Sequence, residues 1–193
     1  MLPFDLLDSY HLDGSLLTGH VNHCLPGIEH SSGALGHGIN VAAGCALGLR
    51  ARGYSDTPVF AVVGDGELQE GSVWEALMFA AHAKLENLIV LIDNNRISSI
   101  TRTEKVIDMR PLRVRFEAFG VSTLEVDGHS VPRIAQAIRD TKGVGGPSAI
   151  ICNTVKGKGV PFAEWEPIWH YKSMTEDQYL VAMKVLDESK GVA

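Results

Sequence analysis

The feature that most constrains this chain is a regular alternation of short apolar runs with helical segments between residues 58 and 154. The runs PVFAVV and LIVLI, at residues 58–63 and 88–92, are too short for helices and show no polar alternation. They therefore predict strands that are buried on both faces. Further strands are predicted at 121–126 and 147–154. Strands that alternate with helices predict an α/β fold, a doubly wound parallel sheet with helices on both faces.

The segments around these strands have helical character. Apolar residues recur at helical spacing after the first strand, and we interpret them as core packing; they are Trp74, Leu77, Met78, Ala81 and Leu85. Helices are also predicted at 36–49, 111–119, 131–140 and 175–188, the last with Thr175 and Gln178 as a capping box. The glycines at 38, 44 and 48 predict close approach of another backbone. No boundary is evident, so residues 1–193 are expected to form a single domain.

Composition excludes several classes of function. The formal net charge is −6, which gives the chain no electrostatic attraction to nucleic acid or to anionic membranes. Its three cysteines are far apart, so neither a zinc motif nor a disulfide framework is indicated. No signal peptide or membrane-spanning run is evident. Together these features fit a reducing cytoplasm best.

Polar residues follow the first two predicted strands. The first strand ends in Gly64-Asp65-Gly66-Glu67 and the second in Asp93-Asn94-Asn95. Because adjacent parallel strands end at the same edge of a sheet, the Asp65 carboxylate and the Asn95 amide oxygen can share one cation. Hard oxygen ligands suit Mg²⁺, which needs about six of them, so ligand phosphates would complete the set. A GDG sequence alone is more typical of a tight turn; its combination with the second motif favours a metal-diphosphate site.

These motifs carry a family resemblance. Residues 64–97, GDGELQEGSVWEALMFAAHAKLENLIVLIDNNRI, resemble the thiamine-diphosphate motif of transketolases. Flanking segments agree with that family: GH at 19–20, PGIE at 26–29, GALG at 33–36, KGKG at 156–159 and WH at 169–170. The resemblance covers about residues 2–185. It implies the thiamine-diphosphate-binding fold, in the form of a diphosphate-binding domain, with thiamine diphosphate and Mg²⁺ as cofactors.

The resemblance also implies roles for particular residues. Asp65, Asn95 and the carbonyl of Ile97 resemble magnesium ligands, and His20 and His170 resemble active-site histidines. Glu70 and Glu75 resemble paired glutamates near a subunit interface; solvated helix charges are the alternative. The cofactor-binding set that it implies is Gly33, Ala34, Leu35, Gly64, Gly66, Glu67, Glu70, Asn95 and His170.

Imidazole suits the proton transfers that such a reaction needs, because it titrates near neutral pH. His20 lies in a Gly-rich segment and not on a helix face. A histidine that only packs in the fold remains the alternative for both His20 and His170.

Two parts of the family pattern are missing from residues 1–193. The family's pyrimidine-binding domain, with its catalytic glutamate, is absent, so the resemblance implies a partner subunit and a split enzyme, an α2β2 heterotetramer. The family's first amino-terminal segment, with two further histidines, is also absent. Three explanations stay open: a longer partner or a third polypeptide supplies these histidines, the start is truncated, or the site works without them. His37 stands where the family usually has Gln, and Ala34 where Pro or Ser is common.

The function implied is transfer of a two-carbon ketol unit from a ketose phosphate to an aldose acceptor. Two alternatives stay open. One is another thiamine-diphosphate reaction, of the deoxyxylulose-phosphate-synthase or 2-oxoacid-decarboxylating type. The other is a non-catalytic subunit that binds the cofactor and regulates a related enzyme.

Overall fold

A parallel sheet forms the centre of the protein, as seen in a computed structural model that describes residues 4–190. The strands are β1 (Val59–Gly64), β2 (Leu88–Asn94), β3 (Ser122–Asp127) and β4 (Ser148–Asn153). They lie in the order β1-β2-β4-β3, and all three pairings are parallel. All four predicted strands are confirmed, with ends that shift by one or two residues.

Between residues 4 and 190, six α-helices accompany the sheet. They are α1 (Gly38–Ala51), α2 (Gly71–His82), α3 (Thr103–Val106), α4 (Leu112–Ala118), α5 (Val131–Asp140) and α6 (Glu176–Lys190). Short 3-10 helices lie at Phe4–Ser9, Glu67–Gln69 and Pro167–His170. The capping box before α6 is confirmed, because the Thr175 N–H donates to Gln178 and the Gln178 N–H donates to Thr175 Oγ1.

Helices cover both faces of the sheet, as predicted. Helices α1, α2 and α4 pack on one face, where Leu77 and Phe116 are fully buried against strand residues such as Val90. Helix α5 packs on the other face, where Ala137 meets Ile150. Each large apolar side chain buried in this way stabilises the fold by about 1.5–3 kcal/mol.

Strand β1 departs from the prediction of burial on both faces. Ala61 and Val63 are buried, but Phe60 is 46% exposed and Val62 is 72% exposed. The prediction was wrong because α5 covers the second face beside β3 and β4, and β1 lies at the opposite edge of the sheet. An apolar run specifies a strand but does not specify whether a helix covers each face.

Two further expectations concern helices α1 and α2. A Cβ added at Gly38, Gly44 or Gly48 would meet nothing within 4 Å, so within residues 4–190 no other backbone approaches α1 there. Met78 is exposed although Leu77 is fully buried, so the buried apolar face of α2 is narrower than the sequence predicted.

Among residues 4–190, no helix is both long enough and apolar enough to cross a bilayer.

Candidate functional site

The carboxyl ends of β1 and β2 bring the two motifs together. Gly64 is paired with Asp93 in the sheet, and the Asp65 N–H donates to the Asp93 carbonyl at 3.1 Å. Asp65 is only 6% exposed. Its Oδ2 accepts a hydrogen bond from the Thr103 hydroxyl at 2.7 Å, so the carboxylate faces the chain that follows Asn95.

The Asn95 side chain is held in one orientation. Its Nδ2 donates to Asp93 Oδ2 at 2.9 Å, and its Oδ1 accepts the Ile97 N–H at 2.9 Å. Arg96 has a φ of 61°, a left-handed conformation that turns the chain tightly between Asn95 and Ile97. Asp93 is itself held by the Thr154 hydroxyl, which donates to its Oδ1.

The carbonyl oxygen of Ile97, at the end of this turn, is the third candidate ligand. Ile97 and Arg102 form an antiparallel bridge, flanked by bonds from Ser98 N to Thr101 O and from Thr103 N to Arg96 O. Ile97 and Arg102 are therefore the non-hydrogen-bonded pair, in which N–H and C=O point away from the opposite residue. Within residues 4–190, no hydrogen-bond donor contacts the Ile97 carbonyl, so this oxygen is open to a ligand.

Electrostatics at the strand tips favour a cation. Burial raises the pKa of Asp65, and the neighbouring Asp93 raises it further, while the hydrogen bond from Thr103 opposes both effects. Neither carboxylate forms a salt bridge with a cationic side chain in the described part of the chain. A buried negative charge without a positive partner is costly. A divalent ion among these oxygens would relieve that cost.

The donor set also limits which ion fits. Between residues 4 and 190, no group of three or more His, Cys, Asp or Glu side chains could hold a metal by itself. A site at Asp65 would consist of one carboxylate, one amide oxygen and one carbonyl, with its remaining positions open. That composition fits Mg²⁺, which usually binds through one or two carboxylates together with substrate phosphates.

A second loop is joined to the first motif at Gly36. Its N–H donates to Glu67 Oε1 at 2.8 Å, and its carbonyl accepts from Ser72 Oγ at 2.9 Å and from Asn40 Nδ2 at 2.6 Å. Gly36 has a φ of 77°, and a Cβ there would lie 2.5 Å from Ser72 Oγ. The predicted loop of Gly33 to Leu35 is therefore fixed beside the GDG turn, with Ala34 and Leu35 exposed.

His20 contacts this loop. A Cβ added at Gly33 would lie 2.5 Å from His20 Cδ2, so the imidazole packs directly on the glycine backbone. His20 is exposed. Within the described residues, no hydrogen bond joins its ring to the strand tips.

His170 lies at the end of the Pro167–His170 helix. His170 is exposed, but partial desolvation of its ring lowers its pKa, and the nearby positive charge of Lys156 lowers it further. The segment that contains His170 contacts the Ile97–Arg102 turn, because the Arg102 guanidinium lies 5.9 Å from the Trp165 ring centre. A histidine kept neutral in this way can accept a proton near neutral pH.

Glu70 and Glu75 are both exposed, at and near the start of α2. Glu70 is the residue before α2, and Glu75 follows within the helix. Met78 and Phe79 are also exposed on this helix.

The two glycines of the GDG turn have space around them. At Gly64 a Cβ would meet open space, and at Gly66 it would lie 3.6 Å from the Thr103 methyl group.

Sequence reasoning missed four residues that shape the site. Thr103 contacts Asp65, Asp93 and Thr154 orient Asn95, and Lys156 influences His170. Only Asp93 and Lys156 lie in motifs that the sequence singled out. Thr103 and Thr154 had no local signal, because their roles depend on chain segments that meet only in the folded protein.

Comparison with known proteins identifies the family of this chain. Residues 1–184 match the family "Transketolase, thiamine diphosphate binding domain". The chain is 38% identical to an apulose-4-phosphate transketolase subunit of Actinobacillus succinogenes over 97% of this chain and 68% of that protein. It is 34% identical to the 6-deoxy-6-sulfo-D-fructose transketolase subunit SqwG of a Clostridium species, over 96% of this chain and 68% of that protein.

Solved structures agree as well. Transketolase from Campylobacter jejuni superposes with a TM-score of 0.89 at 28% identity, over 95% of this chain. The chain spans only 30% of that transketolase, so it corresponds to one part of such an enzyme. The family match and the relatives together show that this chain belongs to the transketolase family as a thiamine diphosphate binding domain, a component of transferase enzymes.

Proposed function

We propose that this chain is the diphosphate-binding subunit of a split transketolase that transfers a two-carbon ketol unit from a ketose to an aldose acceptor. In this proposal, it holds thiamine diphosphate through a magnesium ion. One observation carries the proposal. Asp65 and the Asn95–Ile97 turn meet at neighbouring strand tips and supply buried oxygen atoms that could bind a metal ion. In the described residues, no cationic side chain forms a salt bridge with these groups.

The residues at the strand tips would hold the cofactor. Asp65, Asn95 and the Ile97 carbonyl would bind Mg²⁺, and its open positions would accept diphosphate oxygens. Gly64 and Gly66 would let the diphosphate approach the backbone, with Glu67 and Glu70 alongside. Gly33, Ala34 and Leu35 would border the thiazolium and aminopyrimidine rings. When bound, the cofactor supplies stabilisation of a carbanion, which no amino-acid side chain provides.

The histidines would manage protons around the substrate. His20 would face the substrate from the exposed side of the Gly33 loop. His170 would contact both the diphosphate and the substrate, and its lowered pKa favours the neutral form that accepts protons. Lys156, near His170, and Arg102, beside the Trp165 ring, would bring positive charge to the same region.

The enzyme would need a second subunit. Relatives of this chain are named as transketolase subunits, and the family's catalytic glutamate lies in a pyrimidine domain that residues 1–193 do not contain. We propose that residues 1–193 act as one diphosphate-binding domain in an α2β2 assembly. The exposed side of α2, with Glu70, Glu75, Met78 and Phe79, would form the contact between subunits.

The substrate would be a ketose with an anionic group. The names of two relatives include a ketose phosphate and a sulfonated fructose, which share a negatively charged group. Ketol transfer should be assayed with this chain purified together with its partner subunit, against phosphorylated, sulfonated and neutral ketoses. Equal rates with neutral ketoses would contradict the substrate class, and ketol transfer by the isolated chain would contradict the need for a partner.

The magnesium site is tested by Asp65→Ala in the purified complex. We expect Mg²⁺-dependent binding of thiamine diphosphate to be abolished, because the site loses its only charged ligand. Isothermal titration with and without Mg²⁺ measures this loss. Asp127→Ala is the matched control, because it removes an exposed aspartate from the tip of β3 in the same sheet. Unchanged affinity in Asp65→Ala would refute the assignment.

A further inference from the structure

The hydroxyl of Thr103 contacts the first motif directly. Thr103 Oγ1 donates to Asp65 Oδ2 at 2.7 Å, and Thr103 is only 8% exposed. The two residues are 38 positions apart in the chain. Asp65 accepts no other side-chain hydrogen bond within the described residues. Thr103 is therefore the side chain that fixes how the Asp65 carboxylate is turned.

The turn after β2 brings Thr103 to this position. The chain reverses between Ile97 and Arg102, and the Thr103 N–H donates to the Arg96 carbonyl at 3.1 Å. One end of this hairpin therefore carries the Asn95 amide and the Ile97 carbonyl. The other end carries the hydroxyl that holds Asp65. All three proposed metal ligands are thus positioned by one short hairpin.

Gln69 holds the hairpin from the opposite direction. Its Nε2 donates to the carbonyls of Thr103 and Ile107, each at 3.1 Å. Gln69 belongs to the same motif as Asp65. The first motif therefore holds the backbone of Thr103, while the side chain of Thr103 holds the carboxylate of the first motif.

From this reciprocal arrangement we infer that Thr103 is a positioning residue for the magnesium site, and that Gln69 fixes Thr103 in place. This inference rests on the proposed function, since it concerns the same site. A hydroxyl that donates to one carboxylate oxygen leaves the other oxygen free for a cation. The ion then meets ligands that are already aligned, and it does not have to rotate Asp65 against its surroundings.

The test uses the full chain purified with its partner subunit, and Mn²⁺ as the probe. Binding is followed by electron paramagnetic resonance of free Mn²⁺ in the presence of thiamine diphosphate. Thr103→Val removes the hydroxyl and keeps the volume, next to a cavity of about 20 Å³ that Asp65 and Thr103 help to line. We expect a rise of about 10- to 100-fold in the Mn²⁺ concentration at half-saturation, as for other residues that orient metal ligands. Thr103→Ser keeps the hydroxyl and should stay close to wild type.

The outcomes separate the inference from the function on which it rests. Wild-type protein that binds no Mn²⁺ with thiamine diphosphate contradicts the proposed function itself. Wild-type binding with an unchanged half-saturation point in Thr103→Val overturns the positioning role. A variant that melts earlier without metal, yet binds Mn²⁺ like wild type, shows a purely structural role and also overturns it.

Gln69→Met provides a second route if Thr103→Val does not fold. It removes the two hydrogen bonds that hold the hairpin and leaves the Thr103 hydroxyl present. We expect weaker Mn²⁺ binding in the same assay. Wild-type Mn²⁺ binding in a folded Gln69→Met protein would overturn the inference.

Discussion

The strand tips that carry Asp65 and Asn95 are buried and hydrogen-bonded, whereas the amino-terminal segment that carries His20 is largely exposed. Asp65 and Asn95 are 6% and 9% exposed, and each is held by side chains from other parts of the sequence or from the same turn. Between residues 4 and 37, by contrast, only Leu25 and Gly36 are buried among the residues whose burial is described. The sheet itself supports the first region, and loop contacts support the second.

The two regions therefore differ in how their proposed functional residues are positioned. The proposed cation ligands are aligned by the fold of this chain, because parallel strand tips and a short hairpin determine their positions. His20, which we propose to face the substrate, lies in a segment with little buried surface, which joins the core mainly at Gly36. We therefore expect the proposed metal site to tolerate changes in the amino-terminal segment, and we expect the loop of Gly33 to Leu35, which is proposed to border the cofactor rings, to be sensitive to them.

The largest effect is expected from a change at Gly36, where the amino-terminal segment contacts the core. In Gly36→Ala, the added Cβ would meet Ser72 Oγ at 2.5 Å and Glu70 Cβ at 2.7 Å, in a left-handed conformation. We expect the free energy of unfolding to fall by about 3 kcal/mol, from strain together with overpacking. Urea denaturation measures this fall. Gly53→Ala is the matched control, since Gly53 also has a positive φ but has open space around it; an equal loss there would show that packing at Gly36 is unimportant.

A smaller effect is expected when the hydrogen bond between the Gly36 N–H and Glu67 is lost. Glu67→Leu removes the carboxylate that accepts the Gly36 N–H. Because hydrogen bonds to charged groups contribute about 1.5–3 kcal/mol, hydrogen exchange at the Gly36 amide should accelerate by about tenfold or more. Nuclear magnetic resonance measures that exchange. Glu67→Gln retains an acceptor oxygen and should keep most of the protection, so identical rates in both variants would contradict a role for this contact.

The burial of Asp65 predicts a pH-dependent effect in the metal-free protein. Burial raises the pKa of Asp65 in the folded state. A carboxyl of this kind stabilises the fold while it is protonated, below about pH 3.9, and the contribution is lost as pH rises through the folded pKa. Asp65→Asn does not titrate there. Its stability relative to wild type should therefore increase between pH 4 and pH 7, by about 1.4 kcal/mol for each pH unit by which the pKa is raised.

Urea denaturation across this pH range, in the presence of a chelator, measures the effect. Asp127→Asn, which removes an exposed carboxylate at the tip of β3, is the control. A difference between Asp65→Asn and wild type that does not change with pH would show that the cost of burying this charge is met elsewhere in the fold.

The smallest effect concerns His170. Partial desolvation of the ring and the charge of Lys156 both lower the pKa of His170, so Lys156→Met should raise that pKa by removing the second cause. The ring protons of His170, followed by nuclear magnetic resonance during a pH titration, report the change. Lys158→Met is the control, because it removes a charge two residues away in the same segment. An unchanged pKa in Lys156→Met would show that desolvation alone is responsible.

Much of the fold and part of the site could be predicted from local sequence. The strands at 58–63 and 88–92 were recognisable as apolar runs, and the polar residues after them identified Asp65 and Asn95 as neighbours. The exposure of Phe60 and Val62 was not predictable, because it depends on which side of the sheet each crossover helix takes. The role of Thr103 was equally hidden, because a lone threonine carries no pattern.

The sequence by itself determined the parallel α/β architecture and the two motifs that meet at its edge, because hydrophobic periodicity and turn chemistry act over a few residues. Only the tertiary structure decided how those motifs are held. The contacts of Thr103 with Asp65 and of Glu67 with Gly36 join residues 38 and 31 positions apart. Such contacts form only once the strands have paired, the helices have packed and the chain has closed its loops, so no local pattern in the sequence encodes them.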